Sequence, residues 1–154
     1  MNTPALDTRI PPPVVALVTL LLMWNLAAWL PSPLAPGWHL SVALALVAIG
    51  AAFDLAALWA FHQARTTINP MKPQATTHLV TSGVYRLTRN PMYLGLVLFL
   101  SAAMVYLWSP WAVLGPLGFV AYINRFQITP EERVMRERFG ADYTAWCASV
   151  RRWL

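Results

Sequence analysis

The sequence predicts an all-α integral membrane bundle: four transmembrane helices in two antiparallel hairpins, followed by a cytoplasmic, amphipathic C-terminal helix. Three observations lead there. Of 154 residues, 58% are hydrophobic and only 11% charged, against roughly 25% charged in an ordinary soluble domain. Polar groups are too few to cover such a chain, so lipid must cover part of it. Four apolar stretches, 14–30, 39–61, 92–108 and 111–126, reach or approach the about 17–25 residues that cross a bilayer as helix. All eleven Lys and Arg residues lie on one side of the resulting map.

The first stretch, Val14–Leu30, follows Pro11-Pro12-Pro13 and is interrupted only by Thr19, Asn25 and two tryptophans. It has no small-residue cleavage pattern before Pro31, so it reads as a retained span rather than a signal peptide. His39–Phe61 carries a single charge, Asp54. Met92–Trp108 and Trp111–Phe126 are separated by Ser109-Pro110 alone, which makes them a tight helical hairpin, with Pro110 starting the fourth helix, where its missing N–H costs nothing. Both are short and must stand upright or borrow flanking residues.

Arg9 precedes the first span. Arg65, Lys72, Arg86 and Arg89 lie between the second and third, and Arg125, Arg133, Arg136, Arg138, Arg151 and Arg152 close the chain. The connections Pro31–Trp38 and Ser109-Pro110 hold none. The positive-inside bias places both termini in the cytoplasm, and Trp29, Trp38, Trp108 and Trp111 suit an outer aromatic belt. The net charge of +5 is thus a mark of topology, not of nucleic-acid binding. Cys147 is the sole cysteine; it reads as a lone buried thiol on the reducing side, without a disulfide.

Residues 62–91 form a connection long enough to be functional. Asn69-Pro70, Pro73 and Ser82-Gly83 oppose a continuous helix, while Leu79, Val80, Val84, Tyr85 and Leu87 supply apolar mass to fold it back onto the bundle. After the fourth span, Thr129-Pro130-Glu131-Glu132 fits a helix start: Thr129 as N-cap, proline in the first turn, Glu132 in a capping box. Met135, Phe139, Tyr143, Trp146 and Val150 then form one apolar stripe, with Gly140 a point where the helix can break. The chain 1–154 is read as a single membrane domain.

The polar chemistry collects on the cytoplasmic face. In Arg89-Asn90-Pro91-Met92-Tyr93, Asn90 suits an N-cap, Pro91 the first helical position, and Arg89 can reach lipid headgroups. The same helix start also offers free N–H groups and partial positive charge to an anion, with Tyr93 one turn in. In His78-Leu79-Val80-Thr81-Ser82-Gly83-Val84-Tyr85, Gly83 makes a turn or lets a ligand approach the backbone closely, and Tyr85 supplies an aromatic wall. Glu132 divides between capping and function; Glu131 has no capping duty and can accept hydrogen bonds from hydroxyls or an ammonium. Asp54, two turns inside a span, is costly there. It either bonds Asn25, Asn124 or Arg125, or faces a substrate cavity.

Taken together, Leu79-Val80-Thr81-Ser82-Gly83-Val84-Tyr85, Arg89-Asn90-Pro91-Met92-Tyr93-Leu94-Gly95, Glu131-Glu132, Phe139-Gly140-Ala141-Asp142-Tyr143 and Val150-Arg151-Arg152-Trp153-Leu154 resemble the integral-membrane methyltransferases of the isoprenylcysteine carboxyl methyltransferase and phospholipid N-methyltransferase superfamily. The resemblance covers roughly residues 69–154. It implies S-adenosylmethionine as donor in a cytoplasmic pocket closed by the C-terminal helix, and a lipophilic acceptor entering from the bilayer. By position it implies donor contacts at His78, Leu79, Val80, Gly83, Tyr85, Arg89, Asn90, Pro91, Met92, Tyr93, Glu131 and Glu132, and no metal. Asn90 stands where eukaryotic prenylcysteine enzymes have histidine, a form of small bacterial relatives, which implies a bacterial cytoplasmic membrane. Gln127 stands where those enzymes have a substrate-linked arginine; Arg125 is the nearest replacement. His78 lies one place later than the usual histidine. No residue stands out as a base, and Arg125, Glu131 and Asp54 are the candidates for a catalytic role. Thiol, amine and carboxylate acceptors all remain open. The rival readings are a nicotinamide-dependent membrane reductase, with Arg86 and Arg89 on a nucleotide phosphate, and a noncatalytic membrane subunit that binds lipid or a partner protein through its basic face.

Overall fold

The computed structural model describes residues 9–30, 34–64 and 78–154. Arg65, Lys72, Asn69-Pro70 and Pro73 of the long connection lie outside them. All regular structure among the described residues is helical. Helix α1 spans Pro12–Trp29, α2 His39–Gln63 and α3 Pro91–Leu107. A 3-10 turn at Pro110–Val113 leads into α4, Leu114–Ile123; a π-helical turn at Asn124–Ile128 then joins α4 to α5, Thr129–Ser149. Helices α1 and α2 are long and apolar enough to cross a membrane, about 27 and 37 Å at 1.5 Å per residue. Their outer faces leave Leu17, Leu21, Leu22, Leu44, Leu55 and Trp59 more than half exposed, as suits contact with lipid.

Each start follows local chemistry. Prolines 12 and 13 occupy the first turn of α1 and Pro91 that of α3, where no N–H is needed. Trp108 ends α3 in the left-handed region, φ 47°, with its N–H on the Met104 carbonyl, and its ring meets Trp38 edge-on at 5.2 Å. That stacking ties the α3–α4 turn to the start of α2.

Helix α3 is the central element. Helix α2 presents Ala43, Gly50, Ala57 and Ala60, the residues it buries, and the seven-residue spacing of the first three holds one small-residue seam toward an antiparallel neighbour. Helix α3 fills that seam: a Cβ on Gly50 would lie 2.9 Å from the Phe99 ring and 3.1 Å from the Gly95 carbonyl. Helix α1 packs on α3 and on the 110–123 run rather than pairing with α2. This corrects the expectation that α1 and α2 form a hairpin, whereas α3 does pack back to back with the 110–123 run as expected. The reason is shape, since the buried Met23 sulfur fits against Gly115, where a Cβ would collide with it.

A second correction concerns Thr129-Pro130. Helix α5 does begin at Thr129, but as a continuation of the π turn and without a side-chain cap. Residues 128 and 129 are already helical, and both the N–H and the Oγ1 of Thr129 bond to the Asn124 carbonyl. Proline cannot donate to the carbonyl four residues back and its ring crowds it, so the chain widens into a π turn instead of stopping. The helix does break at Gly140, φ 50° and ψ −116°, a conformation open mainly to glycine.

Substituting Gly50→Leu wedges α2 from α3 and should cost about 1–3 kcal/mol, seen as a lower melting temperature in detergent. Ala52→Leu, on the exposed face of the same helix, should leave it unchanged.

Candidate functional site

The loop 78–90, the first turn of α3, the π turn, α5 and the C-terminal residues meet at one end of the bundle. Asn90 holds the N-cap position of α3, but its side chain does not cap; Nδ2 donates instead to the Arg152 carbonyl at 2.9 Å. Thr88, fully buried, donates from Oγ1 to the same carbonyl at 3.2 Å and accepts the Asn90 N–H at 3.1 Å. The Arg89 N–H donates to the Arg151 carbonyl at 3.0 Å. Residues 151 and 152 thus strap the loop down, and the Asn90 side chain leaves the first turn's N–H groups uncapped, with the helix's positive end behind them.

Glu132 is the charge centre of this strap. Its carboxylate receives Arg89 Nη2 at 3.1 Å and a two-pronged contact from Arg152, Nε at 3.1 Å and Nη2 at 2.7 Å. Arg136, at 3.9 Å and 60% exposed, adds little. The hydrogen bond to Glu132 raises the Arg152 guanidinium above its usual range. Two sequence readings change here. Arg89 is largely turned inward, its side chain only 12% exposed, and Glu132 pairs with arginines rather than capping a helix. Buried Arg89 Nε has no hydrogen-bond partner.

Glu131 turns the other way. Its Oε1 accepts Tyr93 Oη at 2.7 Å and Gln127 Nε2 at 2.6 Å. Burial pushes the carboxyl up to about 7, and the two hydrogen bonds only partly oppose this. Gln127, which the π turn places one helical step before Glu131, is 2% exposed and holds that carboxylate in place. Tyr85 is buried on the last turn of α2 with Phe61 edge-on at 5.6 Å, and its carbonyl accepts Trp146 Nε1 at 3.3 Å. Tyr143 stacks edge-on against Trp146 at 5.8 Å. Burial, then the charges of Glu131 and Asp54, raise the Tyr85 hydroxyl above its ordinary range.

These groups enclose a cavity of about 450 Å³, inside the roughly 300–1,000 Å³ typical of small-molecule sites. His78, Leu79, Val80, Tyr85, Arg89, Asn90, Pro91, Met92, Tyr93, Glu131 and Glu132 all line it, and so does Asp54. Gly83 does not; at φ 61° it turns the chain into the 3-10 turn Gly83–Arg86. Arg125 also lies off the cavity, exposed, with its guanidinium over the Phe126 ring at 5.3 Å. Asn25 donates to the Leu21 carbonyl and Asn124 Oδ1 accepts from Trp153, so neither serves Asp54, whose buried Oδ1 has no hydrogen-bond partner. Sequence reasoning missed Pro12, Pro13, Leu58, Phe61, Leu96 and Ile128 as lining residues, and it placed Met135, Tyr143 and Trp146 only on the apolar stripe of the C-terminal helix. A signal existed only for Phe61, an aromatic ring at the polar end of a span. Cys147, expected buried, is half-buried.

A sequence model of the phospholipid methyltransferase family matches residues 38–142. An uncharacterized protein of Haemophilus influenzae is 43% identical over 63 residues, 41% of this chain and all of that protein. Protein-S-isoprenylcysteine O-methyltransferase A of Arabidopsis thaliana is 28% identical over 116 residues, 73% of this chain and 57% of the plant protein. A probable protein-S-isoprenylcysteine O-methyltransferase of Oryza sativa subsp. indica is 30% identical over 117 residues, 73% and 60% of the respective chains. The chain therefore spans well under two thirds of the plant relatives it matches.

Because its folded-state carboxyl sits near 7 against an ordinary 4.5, Glu131 favours the protonated form in the fold. Its contribution to stability is complete below about 4.5 and is lost as pH rises through about 7, at no more than about 1.4 kcal/mol per pH unit. Thermal denaturation between those values should show the decline in the wild type and a flatter profile in Glu131→Gln.

Proposed function

Because the chain belongs to the phospholipid methyltransferase family, we propose that it is a membrane methyltransferase that uses S-adenosylmethionine to methylate a lipophilic acceptor. The observation that supports this most is the hydrogen bond from Tyr93 to Glu131 across the cavity. It joins the helix-start motif of α3 to the acid of α5 beside one cavity, although 38 residues separate them. The proposed setting is a bundle of four spans, with α3 and the α4 run as third and fourth, both termini cytoplasmic and the cavity mouth at the inner face of a bacterial membrane.

The residues present fit such a donor. The unpartnered Arg89 Nε and the uncapped N–H groups of Met92 and Tyr93 suit a carboxylate. The Glu131 carboxyl suits hydroxyls and an ammonium, while Glu132 is taken up by Arg89 and Arg152. Tyr85, Tyr93 and Trp146 offer ring faces to a flat base and to a cationic sulfur. When bound, the donor supplies an electrophilic sulfonium methyl that a nucleophile displaces in line. The chain's own work is alignment and exclusion of water. Tyr93 and Gln127 fix the Glu131 carboxylate, the C-terminal strap fixes Arg89, and Leu79, Val80, Met92 and Leu96 give the cavity dry walls. The reductase reading needs Arg86 and Arg89 on a phosphate, but Arg86 does not line the cavity and Arg89 is paired to Glu132.

Calorimetry should show saturable binding of S-adenosylmethionine or S-adenosylhomocysteine to the wild type. Glu131→Ala and Tyr93→Ala should each weaken it about tenfold or more, the equivalent of one lost charge-assisted hydrogen bond. Binding of a reduced nicotinamide in its place, or of neither, would remove the proposal.

A further inference from the structure

The loop before α3 and the C-terminal segment carry two arginines each, and the fold divides both pairs in the same way. Arg89 of the loop and Arg152 of the C-terminal segment share Glu132. Arg86 and Arg151, again one from each segment, are exposed. The chain leaves α5 extended at Val150, φ −127° and ψ 132°, and successive side chains of an extended chain point to opposite sides. With Arg152 taken by Glu132, Arg151 faces out.

The side chains of Arg86 and Arg151 have no hydrogen-bond, ion-pair or ring partner among the described residues. The chain offers them little counter-charge. Of its six acidic residues, Asp54 and Glu131 line the cavity. Glu132 already holds three guanidinium groups, those of Arg89, Arg136 and Arg152, so positive charge is in surplus even there. Depth is set by Tyr85, whose ring meets Phe61 of α2 edge-on at 5.6 Å. Phe61 lies in the last turn of a helix long and apolar enough to cross a membrane. Arg86 and Leu87 are therefore level with the end of that helix, where lipid headgroups begin. Leu87 is 62% exposed, and an arginine beside a bare leucine suits the boundary between headgroup and acyl chain.

Resting on the membrane setting proposed above, but not on the donor, we propose that Arg86 and Arg151 bind the phosphate of an anionic membrane lipid. Leu87 lies against the acyl chains of that lipid, which clamps the C-terminal strap onto the loop. One phosphate held by both arginines repeats from outside what Glu132 does from inside. The backbone already brings the two segments together, since the Arg89 N–H donates to the Arg151 carbonyl at 3.0 Å. Guanidinium groups suit phosphate because they can donate two parallel hydrogen bonds to its oxygens. The site lies outside the cavity, which neither arginine lines.

In detergent, the purified protein should bind dihexanoyl-phosphatidylglycerol saturably and much more tightly than dihexanoyl-phosphatidylcholine. Arg86→Gln and Arg151→Gln should each weaken that binding about fivefold, the worth of one basic residue at an anionic surface. Nanodiscs present the same lipid to both faces of the protein. Adding phosphatidylglycerol to phosphatidylcholine nanodiscs should slow hydrogen exchange at the Arg89 amide about fivefold, the same energy expressed as local opening. Arg86→Gln should erase that slowing while keeping the wild-type melting temperature in phosphatidylcholine alone, as expected of an exposed side chain. Equal binding of the two lipids, inorganic phosphate bound as tightly as the lipid, or wild-type affinity in both variants would each overturn the proposal. So would an Arg89 amide indifferent to lipid, or a variant already destabilised in phosphatidylcholine. No readout here uses a methyl donor, so the result is independent of the methyltransferase reading.

Discussion

The site depends on one buried carboxylate. Glu132 draws in Arg89 from the loop before α3 and Arg152 from the C-terminal residues, and through them it fixes the wall of the cavity. Such a junction adds little net stability, because removing three charged groups from water offsets most of their attraction. What it adds is position. With Glu132 saturated by arginines, the neighbouring Glu131 is left to Tyr93 and Gln127 and faces inward. Adjacent helical residues point about 100° apart, so one acid serves the strap and the other serves the cavity.

A different constraint governs depth. The small-residue seam of α2 against α3 brings the two backbones close enough that Asp54 reaches Gly95. Aspartate on an apolar helix is tolerable only where it meets protein or a cavity, and here it meets both. Apolar side chains at Gly50 or Gly95 would fill the space that lets α2 carry this acid into the site. The seam is therefore as much part of the cavity as its lining is.

Much of the helical plan could be read from composition. The apolar stretches 14–30, 39–61 and 92–108 lie almost entirely within α1, α2 and α3, since long runs of apolar residues bounded by proline leave few other conformations. Pairing was less legible. Whether α1 sits on α2 or on α4 turns on the fit of Met23 to Gly115, which hydrophobicity alone does not encode. Thr129-Pro130-Glu131-Glu132 misled for a related reason: the residues that cap a helix start also tolerate a widened turn within one. Only the Asn124 carbonyl, five residues back, distinguishes the two. The motif residues 78–93 and Glu131 could be singled out because their types suit a polar ligand. Arg89 could not be placed, because its partner is 43 positions away and no local pattern ties the two. Leu58 was hidden among identical-looking apolar neighbours.

The π turn at Asn124–Ile128 has a consequence for how this chain can vary in length. A π turn is an α-helix carrying one surplus residue. Deleting any single residue between 124 and 128 would restore ordinary winding and still leave an unbroken rod. Everything beyond it would keep its direction, because a π turn takes up one residue more than an α turn over about the same rotation. Glu131 would still face Tyr93 and Glu132 the arginines. The same loss elsewhere in α4 or α5 would turn the two glutamates by about 100° and scramble the active face while leaving the hydropathy profile of the protein untouched.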